Sequence, residues 1–450
     1  MHKPKAIEFL LFIAFLILYV YIGYQVSRHE TGLLLSAYFA AFAFYLYLVV
    51  VKPHNSNVDF WFYGSIVLRA LLLLSIPNLS DDIYRFIWDG RLLASGHHPF
   101  AQLPAYYIDN NISIQGIDEE LFKSLNSPEY FTIYPALSQY IFWLAASLSP
   151  HSVYGGMLVI KMIIFIAEIG SLFLLRHLVR EFNLPPSRVL LYALNPLLII
   201  ELIGNAHLDG LMIFFVLLAI ALLINKRETF SAVAFSAAIC IKIVPVIFFP
   251  VIVQRLGGRK AWRFCAITVI TSLVIFLPLF DRQIISGFYE SIGYYFNRFE
   301  FNASVYYVVR WLGWLIFGFN IIQYAGIILG VIAFLIIIKI AYHNKQRSPV
   351  SAATLDQDFF TGLLFVHLTY LLFTTTVHPW YVSMLLMFAV LTEFRFVVLW
   401  TAMIYLSYAG YTQHTFRENL WLTAIEYTVV LGYLAYEILW ERKYFRLQQH

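Results

Sequence analysis

Apolar residues run through this chain in blocks of about twenty, separated by shorter polar stretches in which lysine, arginine, proline and glycine collect. A helix of about 20 residues covers the roughly 30 Å hydrocarbon layer of a bilayer, so blocks of that length predict spanning helices. They fall at about 7–26, 32–51, 59–77, 155–176, 187–203, 210–225, 261–279, 320–341, 358–377, 380–393, 395–410 and 421–440, about twelve in all. Three further apolar pieces are short or interrupted: 134–149, 229–253 with breaks at Lys242-Ile243-Val244-Pro245 and Pro250, and 304–317. Half-helices and re-entrant hairpins of this kind are tolerated where protein or a cavity covers their ends. No internal repeat relates two halves of the chain.

Composition points the same way. The 450 residues are 61% hydrophobic and 18% aromatic, with a mean hydropathy of +0.73, which no soluble core could absorb. The predicted fold class is all-α, a polytopic membrane helical bundle forming one integral membrane domain over 1–450. The block after Met1-His2-Lys3-Pro4-Lys5 has the length of a span and no small-residue cleavage site, so it predicts a spanning helix and not a removable leader. Cys240 and Cys265 lie in apolar blocks without metal or redox spacing and read as core residues. The net charge of +4 is spread over block ends without a basic stripe, which argues against nucleic acid as a partner.

Basic residues collect on the cytoplasmic side of membrane proteins. Lys3 and Lys5, the Arg176 to Arg188 loop, Lys226-Arg227, the Arg255 to Arg263 loop, Lys345 to Arg347 and Arg442-Lys443 should therefore lie inside. They do so together only if 229–253 enters and leaves on one face and if 134–149 and 304–317 do not fully cross. The long loop 78–133, the turn 204–210, the loop 281–303 and the turn His378-Pro379-Trp380 then share the outer face.

Charged residues make up only 12% of the chain, against about a quarter in a typical soluble domain. Ser80-Asp81-Asp82-Ile83-Tyr84-Arg85-Phe86-Ile87-Trp88-Asp89-Gly90-Arg91 is thus an anomaly. It opens a loop far beyond the 12–15 residues above which loops are usually functional or disordered. Ser80 is placed to cap a helix with Asp81 and Asp82 in its first turn. The spacing of Ile83, Phe86, Ile87, Gly90, Leu93 and Ala94 predicts an amphipathic helix on the outer membrane surface, with Asp82, Arg85 and Asp89 on one polar face. An active site and a salt-bridged interfacial helix without chemistry both fit that pattern.

Three other clusters are predicted on the same side. Asn205-Ala206-His207-Leu208-Asp209 packs an amide, an imidazole and a carboxylate into one turn, as a binding site or as a capping cluster. Lys242 interrupts an apolar stretch, where a cation needs a partner or a polar cavity. An anionic ligand such as a phosphate would serve, as would Glu201 or Glu168. His378-Pro379-Trp380-Tyr381 opens a span where aromatic anchors are common in any case.

Taken in order, Ser80 to Arg91 followed by Gly96-His97-His98-Pro99-Phe100, then Tyr134-Pro135-Ala136-Leu137-Ser138-Gln139, Asn195-Pro196, Gly204 to Asp209, Lys242-Ile243-Val244-Pro245 and His378 to Tyr381, the chain resembles a bacterial glycosyltransferase of the GT-C superfamily. The nearest relatives are the polyprenol-phosphate-mannose-dependent mannosyltransferases. The resemblance covers about Asn78 to Tyr381; the first two and last two spans carry no motif of it. It implies transfer of a hexosyl, by family a mannosyl, residue from a polyprenyl-phosphate donor to a glycan or glycolipid acceptor. The reaction would proceed with inversion, at the outer face of a bacterial inner membrane. Asp82 or Asp81 would act as general base on the acceptor hydroxyl. Lys242, Arg85 and His378 would stabilise the leaving phosphate. Asn205, His207 and Asp209 would hold sugar hydroxyls, Trp88, Trp380 and Tyr134 would offer aromatic faces, and Asp89, on the polar face of the 80–94 helix, would also bind substrate. No cofactor is implied, although paired aspartates suit Mg or Mn as hard oxygen ligands. Two departures stand out: the aspartates are adjacent where many members separate them, and the polar insert Tyr106 to Glu129 matches nothing. The competing class, a secondary transporter or lipid-linked-sugar flippase, also needs about twelve spans. It predicts midplane charges and internal repeats, where this chain collects its charges at one face. A scaffold would need no convergence of the clusters at all.

Overall fold

The computed structural model describes residues 6–51, 57–280, 287, 293, 299–347, 356–411 and 416–441. Among them regular structure is helical, apart from two isolated bridges, Phe301 with Thr376 and Tyr411 with Phe416. The first helices are α1 (Ala6–Tyr24), α2 (Thr31–Leu46, continued by a π-helical turn to Val51), α3 (Val58–Leu71) and α4 (Asp82–Ala94). Two short helices follow, α5 (Pro104–Asp109) and α6 (Glu119–Lys123), then α7 (Ala136–Leu148), α8 (Val153–Glu181) and α9 (Val189–Ala193). Next come α10 (Pro196–Leu198, running on through π-helical Ile199–Gly204), α11 (Asp209–Ile224), α12 (Glu228–Ile241), α13 (Phe249–Leu256) and α14 (Gly258–Phe276).

The chain is an integral membrane protein with a polytopic helical bundle, and its spans divide unevenly. Six helices are each long and apolar enough to cross a bilayer: Ala6–Tyr24, Thr31–Val51, Val153–Glu181, Gly258–Leu279, Ile322–His343 and Leu420–Leu439. Residues 187–203, expected as one straight span, form Pro186–Ala193 and Pro196–Gly204 bent by 47°. Pro196 has no N–H to continue α9 and disfavours helical backbone at Asn195, whose side chain instead accepts the Leu197 N–H. The other five expected spans are shorter: α3 with 14 residues, α11 with 16, Gln357–Phe373 with 17, Val382–Val390 with 9 and Phe396–Met403 with 8. At 1.5 Å per residue even the longest falls a few ångströms short of about 30 Å. They stop early where proline or a polar turn redirects the chain, as at the Asn205–Asp209 turn before α11 and at Pro379 before Val382–Val390.

Ion pairs mark one end of the bundle. Arg176 meets Asp59 at 2.6 Å, Arg188 meets Glu393 at 2.6 Å, Arg255 meets Asp356 at 2.8 Å and Lys260 meets Glu228 at 2.7 Å. The Lys260–Glu228 pair joins the start of α14 to the start of α12, so 229–253 leaves by the end it entered. Helix α7 and the helix Val305–Phe317 have 13 residues each, about 20 Å, too short to cross alone. Lys3, Lys5, Arg442, Lys443 and nearly all of 281–298 lie outside the described residues.

Buried polar groups tie the helices together in the interior. Arg69 of α3 pairs with Glu168 of α8 at 3.1 Å and donates to the Ala193 carbonyl at 2.7 Å, while the Tyr192 hydroxyl donates to Glu168 at 2.7 Å. Lys161 donates to the carbonyls of Leu72 at 2.7 Å and Gly204 at 3.2 Å and to the Ser75 hydroxyl at 3.0 Å. Breaking a buried pair costs about 3–5 kcal/mol. These contacts therefore hold firmly the ends of α3 and α10 from which 72–82 and 205–209 depart.

Helix α4 departs from expectation in its polar face. That face is not exposed: the helix is buried on nearly every side, Arg85, Asp89 and Arg91 included. The polar face is covered because the loop returns over it: Arg85 donates to the carbonyls of Ser127 at 2.9 Å and Tyr130 at 2.8 Å, and Arg91 donates to that of Gly116. Asp81, not Ser80, stands at the cap position, and the Ser80 hydroxyl accepts the Asp82 N–H at 3.3 Å. The apolar face packs on α7, with Phe86 stacked on Phe142 at 4.6 Å. Contact is closest at Gly90, where a Cβ would stand 2.1 Å from the Phe142 carbonyl oxygen.

Gly90→Ala is therefore expected to destabilise the protein by about 1–3 kcal/mol or more, since the obstructing atom is backbone. Thermal melting of the detergent-solubilised protein checks this. Gly432→Ala, with nothing within 4 Å of the added methyl, should leave the melting temperature unchanged or raise it.

Candidate active site

Three breaks in helical backbone aim polar side chains into one cavity. Pro245 is tolerated only in the first turn of a new helix, so α12 ends at Ile241 and Lys242 is extended, with φ −143° and ψ 141°. Its ammonium reaches Asp209, the first residue of α11, at 2.5 Å and sits 5.2 Å from the centre of the Tyr381 ring. Pro379 likewise holds His378 extended, with φ −75° and ψ 153°. Ala206 takes left-handed backbone, φ 60°, to turn the chain between α10 and α11. The cavity they reach has a volume of about 560 Å³.

Asp82 is partly buried in the cavity wall. It keeps 21% of its side-chain surface exposed, accepts from Asn126 Nδ2 at 2.7 Å and from the Tyr134 hydroxyl at 3.2 Å, and lies 3.9 Å from His207 Nδ1. Among the described residues no lysine or arginine pairs with it. Burial pushes its carboxyl above the usual aspartate range; the Asn126 and Tyr134 hydrogen bonds and the Lys242 charge pull the other way. Asp81 beside it is taken by Arg28 at 2.5 Å.

Aromatic rings form a second wall. Trp380 stacks on His207 at 3.5 Å and on His378 at 4.5 Å. Burial, reinforced by the Lys242 charge, lowers the His378 imidazole to about 3 and holds His207 well below its ordinary range. Both rings are neutral at physiological pH, so they act as hydrogen-bonding and stacking groups.

Of the residues singled out from sequence, Asp81, Asp82, Arg85, Tyr134, Asp209, Lys242, His378 and Trp380 line this cavity. His207 stands immediately behind, between Asp82 and Glu201, which is 3.4 Å from its Nε2. Three lie deeper. Asn205 is buried, accepts the Leu79 N–H at 3.1 Å and donates to Glu201 at 3.3 Å. Asp89 is buried between Arg85, at 2.8 Å, and Gln139, at 3.1 Å. Trp88 is buried beside Phe122. The partners imagined for Lys242 are engaged elsewhere, Glu168 by Arg69 and Glu201 by Tyr408 at 2.9 Å.

Arg28, Asn126, Glu300 and Tyr411 also line the cavity and went unnoticed in the sequence. Asn126 comes from the polar insert Tyr106 to Glu129, which carries no recognised motif, and Arg28 from a turn between two apolar blocks, also without one. Only the charge of Arg28 at a predicted span end offered a signal.

A family model described as alpha-(1->6)-mannopyranosyltransferase, N-terminal domain, matches residues 29–257, just over half of the chain. The chain belongs to this MptA_B family. The matched stretch carries Asp81, Asp82, Arg85, Tyr134, Asn205, His207, Asp209 and Lys242; Arg28 lies one residue before it, and His378 and Trp380 lie beyond. Among curated proteins the chain is similar to alpha-(1->6)-mannopyranosyltransferase A of Mycobacterium tuberculosis (strain ATCC 25618 / H37Rv), 24% identical over 225 residues. That alignment covers 48% of this chain and 42% of the relative's length. The family agrees with the GT-C mannosyltransferase resemblance that the ordered motifs carry.

Proposed function

We propose that the chain transfers a mannosyl residue from a polyprenyl-phosphate donor to a hydroxyl of a glycan or glycolipid, with inversion at the anomeric carbon. The observation that carries this reading is that Asp82, a partly buried carboxylate with no lysine or arginine paired to it among the described residues, shares one cavity with the Lys242–Asp209 pair and the Trp380 wall. Placing the basic end of the bundle in the cytoplasm opens that cavity on the extracytoplasmic face of a bacterial inner membrane.

In this reading the acceptor hydroxyl donates a hydrogen bond to Asp82, whose carboxylate Asn126 and Tyr134 hold in place. As the hydroxyl oxygen bonds to the anomeric carbon, the bond from that carbon to the phosphate oxygen breaks and the hydroxyl proton passes to Asp82. The departing polyprenyl phosphate takes the electron pair, and the Lys242 ammonium meets the charge. Arg85 edges the cavity, and the bonds of its Nε and Nη1 to Asp89, Ser127 and Tyr130 hold the loop that brings Asn126. His378 contributes a neutral imidazole to the phosphate. Asp209 and His207 meet sugar hydroxyls, while Tyr134 and Trp380 offer ring faces to the sugar or the lipid. Asn205, Asp89 and Trp88 act from behind by fixing Leu79, Arg85 and α4. The proposal includes no metal.

Radiolabelled polyprenyl-phosphate mannose supplied to the purified protein with a mannan acceptor tests the reading. Asp82→Asn is expected to lower kcat by about 100- to 10,000-fold with little change in KM, and EDTA to leave the wild-type rate unchanged; full activity in Asp82→Asn sinks the reading. The base works deprotonated, so activity is present above its pKa and lost as pH falls through it. Because burial raises that pKa, the acidic limb should lie above the ordinary aspartate value of about 3.9.

Lys242→Met is expected to raise KM for the donor by about tenfold to a hundredfold, the worth of one charged hydrogen bond. Steady-state kinetics with the acceptor saturating separates this from an effect on acceptor binding.

A further inference from the structure

The turn between α1 and α2 is fastened to the segment that carries the two aspartates. The Tyr24 hydroxyl donates to the Leu71 carbonyl at 2.7 Å, and the Asn78 amide donates to the carbonyls of Ile22, at 2.7 Å, and Val26. On the far side the Thr31 hydroxyl donates to the Tyr411 carbonyl at 3.3 Å. Within the turn, the Glu30 carboxylate accepts the Ser27 N–H at 2.9 Å. Held on both flanks, the turn points Arg28 into the cavity, where its guanidinium pairs with Asp81 at 2.5 Å and lies 5.2 Å from the centre of the Tyr411 ring.

Two neighbouring carboxylates lining one cavity oppose each other's ionisation. Arg28 removes one of them from that competition. We propose that Arg28 is a positioning residue of the transfer reaction: by pairing with Asp81, the turn between the first two helices leaves Asp82 as the aspartate free to take the acceptor's proton. Helix α1 and Arg28, which carry no motif and precede the matched family stretch, thereby become part of the site. The inference rests on the reading of Asp82 as base.

A bland alternative is that the pair merely closes the rim, since exposed ion pairs contribute about 0–1 kcal/mol. The two differ in pH behaviour. Asp82 is faced by Asp81 on its own segment, by Asn126 and Tyr134 from the loop, by His207 and Lys242 from the two turns behind, and by Tyr411 and Glu201 at longer range. Removing Arg28 leaves the Asp81 charge uncompensated, which disfavours ionised Asp82. The acidic limb of the kcat profile must then move to higher pH.

The test is the pH dependence of mannosyl transfer by the full-length protein with the radiolabelled donor. Arg28→Met is expected to move the acidic limb upward by about 0.5–1 pH unit, and adding Asp81→Asn to it to return the limb to the wild-type position. Arg28→Lys, which keeps the charge, should leave the limb where it was. Should Arg28→Met fail to fold, Arg28→Gln, alone and with Asp81→Asn, reads the same shift. If Asp82→Asn is inactive while the Arg28→Met limb coincides with the wild type, or stays displaced after Asp81→Asn is added, the inference is overturned and the base assignment survives. If Asp82→Asn keeps full activity, the base assignment itself falls, whatever Arg28 does.

Discussion

The Arg85 guanidinium, buried against α4, donates to Asp89 and to the carbonyls of Ser127 and Tyr130, and the cavity wall depends on those bonds. A cation inside an apolar bundle is tolerable only with its donors filled. Here the filling groups come from 42 and 45 residues further along the chain. Satisfying one buried charge thus folds the polar loop back over α4 and delivers Asn126 to Asp82. The same requirement recurs at Arg69 with Glu168, at Lys161 with four acceptors near the ends of α3 and α10, and at Lys242 with Asp209. Each pairing joins a helix end to a turn, so the solution of the charge problem is also the frame of the site.

That frame explains why so many helices stop short. Helices α3, α11 and α12 all end or begin near the cavity, and proline or a tight turn redirects the chain where each one stops. Short helices leave backbone groups uncovered at membrane depth, which is permissible only around a polar space. The cavity and the truncated helices are therefore one feature. The close contact of Gly90 with the Phe142 backbone keeps α4 and α7 near enough for Tyr134, just before α7, to reach Asp82.

Much of this was legible in the residues. The six long spans follow directly from apolar length, and the breaks at Pro196, Pro245 and Pro379 follow from proline's missing N–H. The order of the clusters at 80–91, 205–209, 242–245 and 378–381 pointed to the family to which the chain belongs. Other features were not legible. A helical period of apolar residues marks which face of α4 is buried first, but it is silent on whether a distant loop will cover the polar face. A surface helix and a buried one therefore look alike in sequence. Asn126 and Arg28 carry no motif because their value lies only in what stands across from them.

Local period, local sterics and the cost of charge in lipid suffice to set the membrane bundle, its proline breaks and its polar clusters. The difference between the adjacent aspartates has another origin, in tertiary contacts. Asp81 and Asp82 are the same residue type one position apart, and nothing local separates them. What separates them is a guanidinium from the α1–α2 turn on one side and an amide and a phenol from the returning loop on the other, contacts between segments some 50 residues apart.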